Sequence, residues 1–186
     1  IGGEKNKSKI KNPAPTSGAG RGQKSKISFN KPTGIAVDEN NLIYVSDRNN
    51  DRVVVIEQTE GDGWQIINEI TGYFNKPHGI CISSGMVYVA DRNNDRLQVF
   101  DLEGTYIKTI ETGLTGDLNK PQGVFVVRDE KIYISDRNND RVVVLNSTGS
   151  LIMEITGLNK PDGLAVNERG YIYVSDCNND LSLIHI

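Results

Sequence analysis

From Phe29 onward the chain alternates short apolar strings with clusters of Asn, Asp, Gly and Pro, and the strings recur in sets of four. In the first set they are Gly34–Asp38, Leu42–Val45, Arg52–Ile56 and Gln65–Ile70. The second set is Gly79–Ile82, Met86–Val89, Arg96–Phe100 and Tyr106–Ile110, and the third is Gly123–Val127, Lys131–Ile134, Arg141–Leu145 and Leu151–Ile155. A fourth set begins with Gly163–Val166 and Tyr171–Val174. All are short, rich in β-branched and aromatic residues and bounded by turn formers, which is the pattern of β-strands. No window sustains the 3.6-residue period of an amphipathic helix.

Two phrases repeat in step with the strands. Asp-Arg-Asn-Asn-Asp-Arg follows Ser46, Ala90 and Ser135, and a degenerate copy, SDCNNDL, spans Ser175–Leu181. Before each stands Asn-Lys-Pro-x-Gly, at Asn30–Gly34, Asn75–Gly79, Asn119–Gly123 and Asn159–Gly163, with spacings of 45, 44 and 40 residues between successive asparagines. Four strands in a unit of about forty-odd residues match one blade of a β-propeller. The expected class is therefore all-β, with three full blades and part of a fourth. The expected units run about 30–74, 75–118, 119–158 and 159–180 of a domain covering 29–180. In an up-and-down blade the turn between its second and third strands shares a face with the entry to its first. Both phrases are thus predicted on one face.

The run Phe29–Val55, with Pro-x-Gly-Ile-Ala-Val-Asp followed by Ile-Tyr-Val-x-Asp-x-x-Asn-x-Arg-Val, resembles the NHL-repeat family of β-propellers. The resemblance covers residues 29–180 and implies a parent propeller of six blades, so that further blades lie outside this sequence. The lone Trp64 disfavours a WD-type propeller. Similarity to the propellers of RING-type and tripartite-motif proteins implies a recognition module, with the substrate-recognition part of a RING-type ubiquitin ligase as the expected setting. Other family members use this face for single-stranded RNA or peptides.

Composition divides the chain. Residues 1–31 carry eight Lys/Arg against one Glu, and the remainder carries thirteen against twenty-three Asp/Glu. Residues 1–28, rich in Gly, Lys and Ser with Pro13 and Pro15, read as a flexible basic arm unable to bury enough surface to offset its chain entropy. The acidic body disfavours nucleic acid, whose affinity rests on clustered cations, and makes a protein or peptide the expected partner. Residues 181–186, LSLIHI, depart from the repeat and correspond to codons resembling the end of a transposon-based sequencing adaptor, so they are read as a non-native tail. No apolar run approaches the roughly twenty residues of a membrane span. A cytoplasmic setting is favoured, the compartment being otherwise open.

Cys81 aligns with Ala36, Phe125 and Ala165 and is expected as a small buried hydrophobe; Cys177 aligns with Arg48, Arg92 and Arg137 in a turn. A disulfide between such different places is not expected.

Candidate chemistry lies in the two phrases. The variable place in Asn-Lys-Pro-x-Gly reads Thr33, His78, Gln122 and Asp162, and a ring of these around the axial mouth is the candidate ligand site. The lysines of the same phrase, Lys31, Lys76, Lys120 and Lys160, are expected to add a positive ring. Asp47, Arg48, Asp51 and Arg52, with Asp91, Arg92, Asp95 and Arg96 and with Asp136, Arg137, Asp140 and Arg141, are expected to build turns and to pair between blades. As exposed pairs they would contribute roughly 0–1 kcal/mol each. A calcium loop of the EF-hand kind is rejected, because Arg52 and Gln58 stand where it needs glycine and glutamate. His78 within Pro77-His78-Gly79-Ile80 is similar to a zinc-ligand position of peptidyl-hydroxyglycine amidating lyases and to the histidine phrase of streptogramin lyases. A catalytic zinc needs three protein ligands, so His78 would serve only with further histidines from other blades. No catalytic residue, metal or cofactor is assigned. The rival reading is a metal-dependent lyase or lactonase-like hydrolase on the same face.

Overall fold

The computed structural model describes residues 27–61, 63–111, 116–127 and 131–179. The expected tail, residues 181–186, and all of the expected basic arm, residues 1–28, except residues 27 and 28 lie outside them. The described chain is all-β apart from single 3₁₀ turns. Three antiparallel four-stranded meanders follow one another: β1–β4 (Gly34–Val37, Ile43–Asp47, Arg52–Gln58, Trp64–Ile70), β5–β8 (Pro77–Ser83, Met86–Asp91, Arg96–Asp101, Tyr106–Ile110) and β9–β12 (Pro121–Val127, Lys131–Asp136, Arg141–Leu145, Leu151–Ile155). A two-stranded sheet, β13 (Pro161–Val166) and β14 (Ile172–Asp176), begins the fourth blade. The sheets form an open arc, with the first strands β1, β5, β9 and β13 packed side by side along its inner edge.

Strand boundaries differ from the pattern by small amounts, each with a local cause. Asp38 leaves β1 because its Oδ1 accepts the backbone N–H groups of Asn40 (2.9 Å) and Leu42 (2.8 Å), closing an Asx turn. The inner strands of later blades start two residues early, at proline. Proline supplies no ladder donor and is tolerated at the first position of a strand.

Side chains alternate across each strand, so a continuous apolar run feeds two cores at once. Val53 and Val55 of the first blade pack with Val87, Val89 and Phe100 of the second. Leu97 and Val99 point the other way, into a core shared with Ile132, Ile134, Val143 and Leu145. Val142 and Val144 then meet Ile172 and Val174 of the fourth blade. Each fully buried Val or Leu contributes about 1.5–3 kcal/mol, and all of this lies between sheets. Cohesion of the arc is therefore a matter of blade against blade. On the first blade's far side Ile35 and Val37 are 67% and 55% exposed.

The repeated glycine of Asn-Lys-Pro-x-Gly follows from how closely the inner strands approach. A Cβ on Gly34 would stand 2.3 Å from the His78 carbonyl oxygen, on Gly79 2.3 Å from that of Gln122, and on Gly123 2.5 Å from that of Asp162. Only glycine lets one backbone lie against the next here. Cys81 is half-buried against the core between the second and third blades, where burial pushes its thiol pKa up. Cys177 is exposed, and both cysteines are free. No helix among the described residues is long and apolar enough to cross a membrane.

Candidate functional site

The two repeated phrases meet on one face and build the same polar hairpin in every blade. Asp47 ends β2 with its carboxylate fully buried, accepting the Asn30 N–H on Oδ1 (2.7 Å) and the Asn50 Nδ2 (2.7 Å) and Arg52 Nε (2.8 Å) groups on Oδ2. Arg52 continues to the Ser28 carbonyl (3.0 Å) and to Glu69 Oε1 (3.1 Å). Burial disfavours its charge, but Asp47 and Glu69 outweigh that and raise its pKa above the usual value. Asn49 N–H closes the unit on the Asn30 carbonyl (2.9 Å).

The pattern returns around Asp91 with Asn75, Asn94 and Arg96, and around Asp136 with Asn119, Asn139 and Arg141. In the fourth blade Asp176 receives Asn159 and Asn179. The Asp–Arg pairing expected between blades thus closes within one blade for Asp47–Arg52, Asp91–Arg96 and Asp136–Arg141. Their carboxylates are fully buried, because each accepts three donors in a hairpin interior, while Arg52 and Arg96 are half-buried and Arg141 is buried.

The second aspartate of the phrase makes a recurring bond between blades. Asp51, Asp95 and Asp140 sit in left-handed backbone (φ 51°, 55° and 54°), and each accepts the backbone N–H of the next blade's lysine, Lys76 (2.8 Å), Lys120 (2.8 Å) and Lys160 (2.9 Å). Those lysines are themselves left-handed, at φ 58°, 54° and 58°, as is the exposed Lys31 at 51°. Such backbone costs on the order of 1 kcal/mol in a side-chain-bearing residue, and the proline that follows restricts it further. It aims the lysine N–H across the seam.

The lysine heads follow their backbones, Lys76 Nζ lying 3.9 Å from Asp51 and Lys160 Nζ 3.3 Å from Asp140, while Lys120 Nζ reaches Asn93 Oδ1 at 3.4 Å. The expected ring of free lysine charge is therefore drawn into the seams. The Asp140 carboxyl is held below the usual carboxylate range, first by the Lys160 N–H.

The mouth itself is lined differently. Thr33 Oγ1 donates to the next blade's Pro77 and His78 carbonyls (3.2 and 3.3 Å), and Gln122 is buried. His78 is half-buried; burial lowers its pKa below the ordinary 6.5, with Asp162 and the Gln122 backbone opposing that and Arg48 and Arg92 reinforcing it. Arg92 in turn is lowered by burial and by Arg48 and Arg137. Arg137 Nη1 stands 3.7 Å from Asp162 Oδ2 and donates to the Lys160 carbonyl at 3.2 Å.

One arginine from each of three blades thus converges with His78 and Asp162 where lysines were expected. Sequence reasoning counted these arginines as turn residues. Their signal was available: each directly follows the buried aspartate yet is not the arginine that pairs with it. Among the described residues no group of three His, Cys, Asp or Glu side chains comes together as a metal site.

The NHL repeat family matches at residues 29–56 and 74–100, the entry phrase through the third strand in each of the first two blades. These two stretches are NHL repeats. No curated protein matches it. Among solved structures it is similar to virginiamycin B lyase of Staphylococcus aureus (18% identity, 78% of this chain and 48% of that one, TM-score 0.63). It also resembles hydrazine synthase of Kuenenia stuttgartiensis (15%, 90% and 53%, 0.64) and glutaminyl cyclase of Myxococcus xanthus (14%, 77% and 67%, 0.58). At these identities the likeness is one of fold, a β-propeller. The chain spans about half the length of the lyase and of the synthase. The NHL hairpin accordingly repeats as scaffold, while the axial positions change from blade to blade.

Proposed function

We propose that this NHL propeller is a non-catalytic recognition scaffold that binds a peptide or protein at its axial mouth. The observation that carries the reading is the contrast between a hairpin repeated almost unchanged and a mouth where Thr33, His78, Gln122 and Asp162 differ at one equivalent position. Residues that vary on a constant frame are free to be chosen by a ligand. As part of the same proposal, the propeller presents substrates to a RING-type ubiquitin ligase, a role supported by the family resemblance.

The test is a peptide array probed with the full chain, wild type against His78→Ala, with the outer-strand variant Ile107→Ala as control. Mouth recognition predicts peptide binding that the first substitution weakens at least several-fold and the second leaves alone. If no peptide binds, or if lyase or lactone-hydrolysing activity appears and vanishes with His78, the scaffold reading fails in favour of an enzyme. The ligase role is tested separately by ubiquitin transfer to a captured peptide in the presence of the parent protein.

A further inference from the structure

We propose that Arg48, Arg92 and Arg137 form a carboxylate-binding site at the mouth, recognising a single acidic group of a peptide, either an Asp or Glu side chain or a C-terminal carboxylate. The proposal rests on the peptide-binding reading above and adds the chemical class of the group bound.

The three arginines occupy one register position. Each is the first residue of the 3₁₀ turn that follows β2, β6 or β10, at Arg48–Asn50, Arg92–Asn94 and Arg137–Asn139. The aspartate beside each is committed elsewhere, since Asp47, Asp91 and Asp136 are fully buried and taken by Arg52, Arg96 and Arg141. What remains for the mouth arginines is little. Arg48 makes no ion pair among the described residues, and its Nε is buried without a hydrogen-bond partner. Arg92 donates from Nη1 to the neutral Asn93 Oδ1 at 3.0 Å. Arg137 has the Lys160 carbonyl and, at 3.7 Å, Asp162.

Of the three guanidinium groups, only that of Arg137 lies within ion-pair reach of a carboxylate at the mouth among the described residues. A buried donor without a partner costs about 1–3 kcal/mol, more when charged, and Arg92 is disfavoured in its charged form first by burial and then by Arg48 and Arg137. An incoming anion relieves both penalties. The planar fork of arginine, unlike lysine, matches a carboxylate through two parallel N–H···O bonds.

Phosphate of RNA is the competing anion, and two observations disfavour it. Single-stranded RNA asks for aromatic platforms beside the cations. Here Phe74 is buried against Phe100, and Tyr73 packs on Phe100 and Tyr106 with ring centres 5.3 and 5.8 Å away, so both are spent in the core. The body as a whole is acidic, with thirteen Lys/Arg against twenty-three Asp/Glu after residue 31, which repels an extended polyanion. One carboxylate needs only the mouth.

The experiment follows the arginine Nε–Hε resonances of the full chain by NMR during titration with four probes. These are a capped glycine pentapeptide with central Glu, the same peptide with Gln, N-acetyl-triglycine with a free carboxylate, and a uridine hexamer. The expected result is saturable movement of the Arg48, Arg92 and Arg137 signals with the Glu peptide or the free-carboxylate peptide and none with the Gln peptide. Which of the two moves them tells side-chain from C-terminal recognition. Arg92→Gln should weaken that binding at least about tenfold, with Arg92→Lys intermediate because charge is kept and the fork is lost.

Equal binding of Glu and Gln peptides would overturn the carboxylate site while leaving peptide recognition intact. A response to the hexamer alone would overturn both. No response to any probe also overturns the site.

Discussion

The Asp51 carboxylate accepts the Lys76 backbone N–H at 2.8 Å, joining the first blade to the second through two residues that are both in left-handed backbone. The bond recurs at 2.8 Å for Asp95 and Lys120 and at 2.9 Å for Asp140 and Lys160. Among the described residues neighbouring blades share no strand ladder, so these bonds join the apolar contacts and other polar contacts, such as Thr33 to the Pro77 and His78 carbonyls and Tyr44 to the Leu102 carbonyl, in holding them in register.

Substitution at Asp51 should separate acceptor from charge. Asp51→Ala removes the acceptor and places alanine at positive φ, for an expected loss of about 1–2 kcal/mol. Asp51→Asn keeps an oxygen and tolerates the backbone, so it should cost about half as much or less. Urea denaturation of both variants checks this, and equal losses would show that the charge matters more than the bond.

The buried pair Asp136–Arg141 should be the most sensitive polar site. Arg141 Nε lies 2.8 Å from Asp136 Oδ2, and the two side chains are 9% and 0% exposed. Breaking a buried pair by removing one partner costs about 3–5 kcal/mol. Asp136→Ala should therefore lower the urea midpoint far more than Glu154→Ala, which removes only the arginine's half-buried second partner.

Glycine positions should divide by what their neighbours leave open. Gly79→Ala drives a Cβ to within 2.3 Å of the Gln122 carbonyl, whereas in Gly163→Ala the new atom meets Ser175 Oγ at 3.4 Å, an ordinary contact. Overpacking against backbone costs about 1–3 kcal/mol or more. Thermal melts of the two variants should differ accordingly, Gly79→Ala being the less stable by several degrees.

Stability should fall on acidification in two stages. Burial, Arg48 and Arg92 lower the His78 pKa from 6.5, against the pull of Asp162 and the Gln122 backbone. Below about 6.5 the unfolded chain then binds a proton that the folded one resists, and stability falls as pH falls. Asp140 is lowered from 3.8, first by the Lys160 N–H. Its contribution, present above that value, is lost as pH drops through the folded pKa. Urea midpoints at pH 7.5 and 5.5 isolate the first stage, and His78→Gln should flatten it. An unchanged slope in that variant would assign the decline to another group.

The amino-acid sequence alone determined the blade: strand number and order follow from local alternation and from turn residues whose φ/ψ preferences act within a few positions. It also placed both phrases on one face, because that is a consequence of meander geometry. The tertiary structure decided which charges meet. Asp47 and Arg52 find each other inside a hairpin, Asp51 and Lys76 across a seam, and Arg48 neither. All three relations are written in one six-letter phrase, and spacing cannot distinguish them, because a side chain's partner depends on which way it leaves the turn. The gathering of Arg48, Arg92 and Arg137 around His78 and Asp162 likewise exists only once the blades are set side by side around an axis. Electrostatic neighbours follow distance in space, and residues about forty-five positions apart acquire that distance only in the packed arc.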